Sequence, residues 1–447
     1  MSKLFGTDGI RGVANRELTS KLAYHVGRAA AFCLKQDGKN TILIGRDTRR
    51  SGDMLQASLT SGILSIGMDV LDVGIIPTPG VAMLCRHYDV AAGIVISASH
   101  NPGEFNGIKL FGPAGYKLPD EKEDEIEGYV LQPERIDWMP IGTDIGILKQ
   151  IPEATHIYID YLKTKINRSL TGLKIAMDCG HGATLTVAPQ LFKELGAEVY
   201  AINTDYDGMD INRNCGSTDP KLVAELVKEV GADIGLAFDG DGDRLIAVDE
   251  LGEVMNGDHY LAACGTNLMN KGKLPNNTIV STVMCNMGLV EYGKKVGMNV
   301  LQTAVGDRYV LEKMLEGGYT LGGEQSGHFI FIEDNTTGDG ALSALKLIEA
   351  MLDENKTVSE LNAYMKTYPQ VLRNAKVAND KKYRYMEDEV VAKAVADFEE
   401  HFADKGRVLI RPSGTEPLVR VMVEGSDLAQ ITKQAEDLVQ LIEKQLG

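Results

Sequence analysis

Leu173-Lys-Ile-Ala-Met177, then Gln190-Leu-Phe-Lys-Glu194, then Gly196-Ala-Glu-Val199 gives the fold in miniature: a β-type apolar run, a helical stretch, a glycine and a second β-type run. The order recurs twice. Thr41-Ile-Leu-Ile44 leads through a helical stretch to Gly67-Met-Asp-Val70, and Thr278-Ile-Val-Ser281 leads through Leu289-Val-Glu-Tyr-Gly293 to Gly297-Met-Asn-Val300. In each copy the glycine is placed to end a helix in the left-handed conformation. Strands alternating with helices imply α/β layers around mostly buried sheets. A period this long means repeated domains rather than a solenoid.

Working outward, each copy adds a further β run that ends in a polar loop. Gly93-Ile-Val-Ile-Ser97 enters Ala98-Ser99-His100-Asn101-Pro102, Ile234-Gly-Leu-Ala-Phe238 enters Asp239-Gly-Asp-Gly-Asp-Arg244, and Tyr319-Thr-Leu321 enters Gly322-Gly-Glu-Gln-Ser-Gly-His328. Ligands of α/β sheets bind beyond the carboxyl ends of strands, so the three loops are expected to share one central cleft. After about residue 368 the pattern changes. Glu387–Phe402 and Leu428–Gln445 read as helices, and Arg407–Ile410 and Val419–Val423 as strands flanking Arg411-Pro-Ser-Gly-Thr-Glu-Pro417. The expected fold is therefore α/β: three similar α/β/α domains with mixed sheets and a smaller C-terminal α+β domain. The expected divisions are 1–152, 153–255, 256–367 and 368–447, with Gln132–Pro152 as the first linker.

The chain has 447 residues, 44% apolar and 24% charged, which is ordinary for globular domains. No apolar run approaches a membrane span, and the N-terminus shows no secretion signal. The six cysteines lack a C-x-x-C pair and read as buried thiols of a cytoplasmic protein. With 46 basic against 63 acidic residues the formal charge is −17, which argues against a nucleic-acid partner but leaves room for a small anion in a locally positive cleft.

Asp239, Asp241 and Asp243 are the sharpest local signal. On an extended segment alternate side chains face one way, and three converging carboxylates repel unless a cation joins them. Oxygen-only ligands suit Mg²⁺. An EF-hand is disfavoured, since Arg244 occupies the position where that loop needs glycine; a solvated acidic turn is the bland alternative. Ser99 beside His100 invites a hydrolase reading, but neighbours on a strand face opposite ways and no G-x-S-x-G elbow occurs. Next to a metal loop the serine becomes a candidate phosphoryl acceptor, with Lys109 close in sequence. Glu324, Ser326 and His328 could serve a sugar's hydroxyls or move a proton. Arg411, Ser413, Gly414, Thr415 and Arg420 have the makings of an oxyanion cradle. No nucleotide-binding loop is present.

Taken together, Ser-Ala-Ser-His-Asn-Pro, Asp-Gly-Asp-Gly-Asp-Arg, Gly-Glu-Gln-Ser-Gly-His and Arg-Pro-Ser-Gly-Thr-Glu-Pro, in that order, resemble the α-D-phosphohexomutase family along the whole chain. Phe5-Gly-Thr-Asp-Gly-Ile-Arg11-Gly12 and Gln325 resemble its bacterial branch acting on glucosamine phosphates; the branch acting on mannose and glucose phosphates usually has methionine in place of Gln325. The resemblance implies an isomerase that interconverts glucosamine 6-phosphate and glucosamine 1-phosphate through a phosphoserine at Ser99 and a bound 1,6-bisphosphate. It implies one Mg²⁺ per chain, held by Ser99, Asp239, Asp241 and Asp243, and catalytic amounts of a hexose 1,6-bisphosphate for priming. Lys109, His100 and His328 are then the candidates for proton transfer. Arg11, Arg244, Gly306, Asp307, Glu324 and Ser326 are candidate substrate contacts, and Arg411, Ser413, Gly414, Thr415 and Arg420 would hold the non-reacting phosphate. The expected partner is a small-molecule sugar phosphate, with no nucleic acid or membrane; a homodimer is the one protein assembly considered. A mutase of the mannose/glucose branch and a metal-dependent sugar phosphatase are the alternatives. Gly103-Glu-Phe105 and His181 are given no role.

Overall fold

The computed structural model describes residues 4–6, 8–36, 38–402, 406–413 and 417–447. The chain divides into two compact units, residues 1–284 with 298–364, and residues 285–297 with 365–447.

The first unit holds three mixed sheets. From edge to edge the first runs Ile10–Val13, Phe105–Phe111, Ala92–Ile96, Thr41–Arg46, Asp69–Ile75 and Leu148–Gln150. The second runs Val254–Met255, Leu245–Asp249, Ile234–Phe238, Lys174–Asp178 and Glu198–Ile202. The third runs Asn299–Thr303, Thr278–Thr282, Leu321–Gly323 and Phe329–Phe331. The sequence repeat is a topological one. In each sheet the first strand of the repeat lies between the second and the third, all parallel, and the third turns back into an antiparallel partner. The three chemistry-bearing loops are those three turn-backs. The repeat glycines Gly67, Gly196 and Gly297 have φ of +82°, +98° and +79°, a region open to glycine at no steric cost.

The apolar faces of these strands supply the cores. Ile42, Ile44, Val70, Ile94 and Ile96 of the first sheet pack with Val26, Leu55, Leu59 and Ile63 from the helices Ser20–Leu34 and Gly52–Leu64. Thr19 caps the first of these helices, accepting from the Leu22 N–H at 3.2 Å.

Two expectations change. Gln132–Pro152 is more than a linker: it carries two single-turn helices and then Leu148–Gln150, which joins the first sheet beside Asp69–Ile75. Its prolines hid a three-residue edge strand too short to leave a periodic signal. Among the cysteines, all of them free, Cys33 is half-buried rather than buried.

The second unit is an antiparallel sheet, Gln370–Lys376, Leu418–Gly425 and Gly406–Pro412. The helices Glu389–Phe402 and Leu428–Leu446 contribute Val391, Phe398, Ile431 and Leu438 to its core. The helix Met287–Val296, part of the third repeat in sequence, belongs to this unit. Asn286 Nδ2 donates to Tyr368 O at 2.9 Å, and Glu424 Oε1 accepts from the Met287 N–H at 3.0 Å.

Candidate active site

The strand Ala92–Ile96 stops three residues before Ser99, whose φ is +50°. The chain is therefore no longer a strand at this point, and the expectation that Ser99 and His100 face apart fails: Ser99 Oγ lies 3.3 Å from His100 Nδ1. Ser99 is buried, and its hydroxyl donates to Asp239 Oδ2 at 2.8 Å.

Asp239, Asp241 and Asp243 are all buried, and one ligand oxygen from each lies within 4.8 Å of the others. A turn, not an extended segment, brings them together. The Gly242 N–H donates to Asp239 O at 3.1 Å, and Gly242 has φ of +70°. Gly240 must be glycine for a different reason, because a Cβ there would sit 2.7 Å from both Ser99 O and Ile211 Cδ1. Asp241 Oδ2 accepts from Thr78 Oγ1 at 2.6 Å and from Lys109 Nζ at 2.8 Å. Lys109 is buried, with Asp8 at 3.1 Å and Asp243 at 3.8 Å. Burial opposes its charge, but Asp241, Asp8 and Asp243 hold the ammonium well above the usual lysine range. Burial, then Asp243 and Asp241, drive the Asp239 carboxyl well above the usual carboxylate range. Asp243 goes the other way despite its burial, lowered by His328 and Lys109.

The second and third turn-backs are joined through backbone. The Leu245 N–H donates to Gly327 O at 2.9 Å, Arg244 bridges His328, and the Gly340 N–H donates to Gly242 O at 2.9 Å. His328 is buried between Asp243, 3.5 Å from Nδ1, and Asp307, 3.7 Å from Nε2. Burial disfavours its charge, yet the two carboxylates outweigh that and raise its pKa. His100 shows the opposite balance: burial, then Arg244 and Arg11, pull it down to about 4. Glu324 Oε1 accepts from the Gly306 N–H at 3.2 Å, and Ser326 is exposed. Gly306 and Asp307 line a cavity of about 450 Å³ with Phe5, Gly6, Asp120 and Arg308. Lys117, which no motif singles out, donates to Asp307 at 2.7 Å and also pairs with Asp8. Arg11 pairs with Asp8 and reaches Asn101 Oδ1 at 3.4 Å.

In the second unit Arg411 and Arg420 are direct partners across antiparallel strands. Burial and the charge of Arg420 lower the pKa of Arg411. Like charges directly opposed on a sheet repel, and an anion beside them offsets that repulsion. Ser413 is buried. Gly414 and Thr415 lie outside the described residues.

Four models of phosphoglucomutase/phosphomannomutase domains match in order: α/β/α domain I over residues 2–136, α/β/α domain II over 156–252, α/β/α domain III over 256–368 and the C-terminal domain over 372–441. The chain belongs to the phosphoglucomutase/phosphomannomutase family. Its curated relatives in this phosphohexomutase family include the phosphoglucosamine mutases of Alkaliphilus metalliredigens and Alkaliphilus oremlandii, 57% and 55% identical over the full length of both chains. Among solved structures, the phosphoglucomutase/phosphomannomutase family protein of Burkholderia thailandensis is 25% identical, with a TM-score of 0.84 over 99% of this chain and 98% of that one.

The phosphohexomutase triad suits a hard divalent cation. Asp241 Oδ1 and Asp243 Oδ1 are buried with no hydrogen-bond partner, and three buried carboxylates close together need positive charge beyond that of Lys109. Thr78 was missed in the sequence because its role comes from a helix start in another sheet's domain. Its hydroxyl meets Asp241 only after folding. Among the described residues no helix is long and apolar enough to cross a membrane.

Proposed function

We propose that this phosphohexomutase interconverts glucosamine 6-phosphate and glucosamine 1-phosphate, with Ser99 as the phosphoryl carrier. The observation that supports the reading is the 2.8 Å hydrogen bond from Ser99 Oγ to Asp239, within a buried triad whose orphaned oxygens call for a cation. The sugar is read from the phosphoglucosamine mutase relatives that match along the whole chain.

On this reading Asp239, Asp241, Asp243 and the phosphate on Ser99 hold one Mg²⁺, which when bound offsets anionic charge and polarises the phosphoryl group. Phosphorylated Ser99 gives its phosphoryl group to the free hydroxyl of the sugar phosphate, whose proton leaves to a nearby base. The resulting 1,6-bisphosphate turns end for end, and its other phosphoryl group returns to the Ser99 hydroxyl. A hexose 1,6-bisphosphate in catalytic amounts primes the serine. Lys109, His100 and His328 are the candidates for moving the proton, and a Lys109 held charged would steady negative charge. We assign Arg11, Arg244, Gly306, Asp307, Glu324 and Ser326 to the sugar phosphate, and Arg411, Ser413, Gly414, Thr415 and Arg420 to a non-reacting phosphate. The working division stays at 1–152, 153–255, 256–367 and 368–447, and the substrate supports a cytoplasmic enzyme supplying amino sugar to the cell wall.

The test is to incubate the protein with glucosamine 6-phosphate, Mg²⁺ and a trace of glucose 1,6-bisphosphate, following both sugar 1-phosphate and free phosphate by ³¹P NMR. Conversion to the 1-phosphate without stoichiometric phosphate release is expected. Phosphate release without isomerisation would make the protein a phosphatase. Parallel rates on glucose and mannose 6-phosphates decide the sugar.

A further inference from the structure

The Arg49 guanidinium has five N–H bonds, and every one has a partner. Its side chain and that of Asp47 are fully buried. Nε donates to Asp47 Oδ2 at 2.8 Å, Nη1 to Pro102 O and to Phe105 O at 3.0 Å, and Nη2 to Ser99 O and Asn101 O, each at 2.8 Å. One cation therefore gathers four carbonyls from both limbs of the loop that carries Ser99. Asp47 closes the circuit: its Oδ2 also accepts from Ser97 Oγ at 2.5 Å, and Ser97 Oγ accepts from the Ser99 N–H at 2.9 Å. From the domain of the second sheet, Asn212 Nδ2 donates to the same Ser99 O at 2.9 Å and to Asn101 O at 3.2 Å.

We propose that Arg49, acting through Asp47 and these carbonyls with Asn212 as a second fastening, is the positioning residue that holds Ser99 in the left-handed conformation from which its Oγ reaches Asp239. The proposal rests on the reading of Ser99 as phosphoryl carrier.

A positive φ is unfavourable for a serine and persists only where the surroundings over-determine it. The four inward carbonyls supply that constraint, because releasing Ser99 into an ordinary conformation would swing its carbonyl off a buried cation and leave both unsatisfied. The carrier also changes charge by about −1.5 to −2 each time it is phosphorylated. A loop held only by its own turn bonds would relax between the two states. One tied to a neutralised Arg–Asp pair returns the oxygen to the same place for both half-reactions, and such placement governs rate more than affinity. Arginine is required, since a lysine has three donors diverging from one point and cannot span four carbonyls and a carboxylate.

The experiment compares wild type, Arg49→Lys and Asn212→Ala in three measurements. These are kcat and KM for glucosamine 6-phosphate, the single-turnover rate at which Ser99 takes a phosphoryl group from glucose 1,6-bisphosphate (by intact mass), and the melting temperature. For Arg49→Lys we expect kcat and phosphoryl uptake to fall by about a hundredfold with KM within about threefold of wild type. Asn212→Ala is expected to lose about tenfold in the same pattern while melting close to wild type. Wild-type uptake in a folded Arg49→Lys protein overturns the proposal, as does a loss that only follows the folded fraction. Should Arg49→Lys not fold, wild-type uptake in Asn212→Ala overturns it instead. A wild type that itself takes up no phosphoryl group, yet isomerises the sugar, refutes the carrier reading, and this proposal falls with it.

Discussion

Ser99 Oγ and Asp239 Oδ2 are 2.8 Å apart although 140 residues separate them, and each stands at the turn-back of its own sheet. Two copies of one structural unit thus contribute unlike chemistry to one point: the first a hydroxyl, the second a carboxylate. The third brings His328 against the same acidic loop, 3.5 Å from Asp243. Because the repeats share a topology, their turn-backs differ in chemistry and not in placement along the sheet.

Removing the hydroxyl tests the carrier most directly. Ser99→Ala is expected to lower isomerisation of glucosamine 6-phosphate by at least about 10³-fold, since no other hydroxyl occupies that position. The melting temperature should stay near wild type, because one hydrogen bond is lost and nothing is left cramped. A coupled assay for the sugar 1-phosphate checks this; turnover at the wild-type rate removes Ser99 from the role.

The acidic loop should report on the cation through stability as well as activity. Adding Mg²⁺ to EDTA-treated protein at a hundredfold excess over its Kd is expected to stabilise it by about 2.7 kcal/mol, read as a shift in the denaturation midpoint. Asp239→Asn should raise the metal-free midpoint, because burial and two neighbouring carboxylates disfavour the Asp239 charge, and should abolish most of the Mg²⁺ response. A Mg²⁺ shift of equal size in the variant would place the cation elsewhere.

The two arginines paired across strands in the second unit give a prediction about binding. Arg420→Ala removes one of these two like charges and should leave the protein folded. It should raise KM by about 10- to 100-fold, as expected for loss of a charge-assisted contact to phosphate. Urea denaturation and steady-state kinetics read the two effects. A normal KM would take the phosphate away from this pair.

Lys117 gives a pH-dependent test. Asp8 and Asp307 lie about one-fifth exposed around it. Burial opposes their charges, but Lys109 and Lys117 hold Asp8 well below the usual carboxylate range, and Lys117 with His328 lowers Asp307. Depressed carboxyls stabilise the fold above their unfolded pKa of about 3.9, and that contribution is lost as pH falls through the folded values. Lys117→Met should therefore destabilise by about 2–4 kcal/mol at neutral pH, with the gap to wild type closing as pH drops below about 4. A gap that does not vary with pH would mean that the lysine matters for packing alone.

Much of this was legible in the sequence where chemistry is local. Asp239-Gly-Asp-Gly-Asp243 shows three carboxylates and the glycines that let them converge, and the strand–helix–glycine repeat shows the three sheets. The failures have physical causes. The expectation that Ser99 and His100 diverge treats them as strand neighbours, whereas the strand ends at Ile96 and only backbone geometry reveals that a left-handed turn intervenes. The edge strand Leu148–Gln150 is all exposed, so no alternation marks it. Arg49 sits among Arg46, Asp47 and Arg50, and nothing in that run of charges marks it out. Its partners are mostly main-chain carbonyls, which every residue has and no pattern advertises. Thr78 and Asn212 act across domains and are equally silent until the chain folds.

The positive φ at Ser99 also decides which amino acids can stand in for it. Threonine carries the same alcohol, but its branched Cβ makes this backbone region a severe outlier, so the swap that most easily preserves a hydroxyl elsewhere is barred here. The site therefore restricts its own evolution and engineering through conformation and not through reactivity. Asparagine or glycine would sit there more comfortably and be inert, while among alcohols able to ester-link phosphate serine is less strained than threonine.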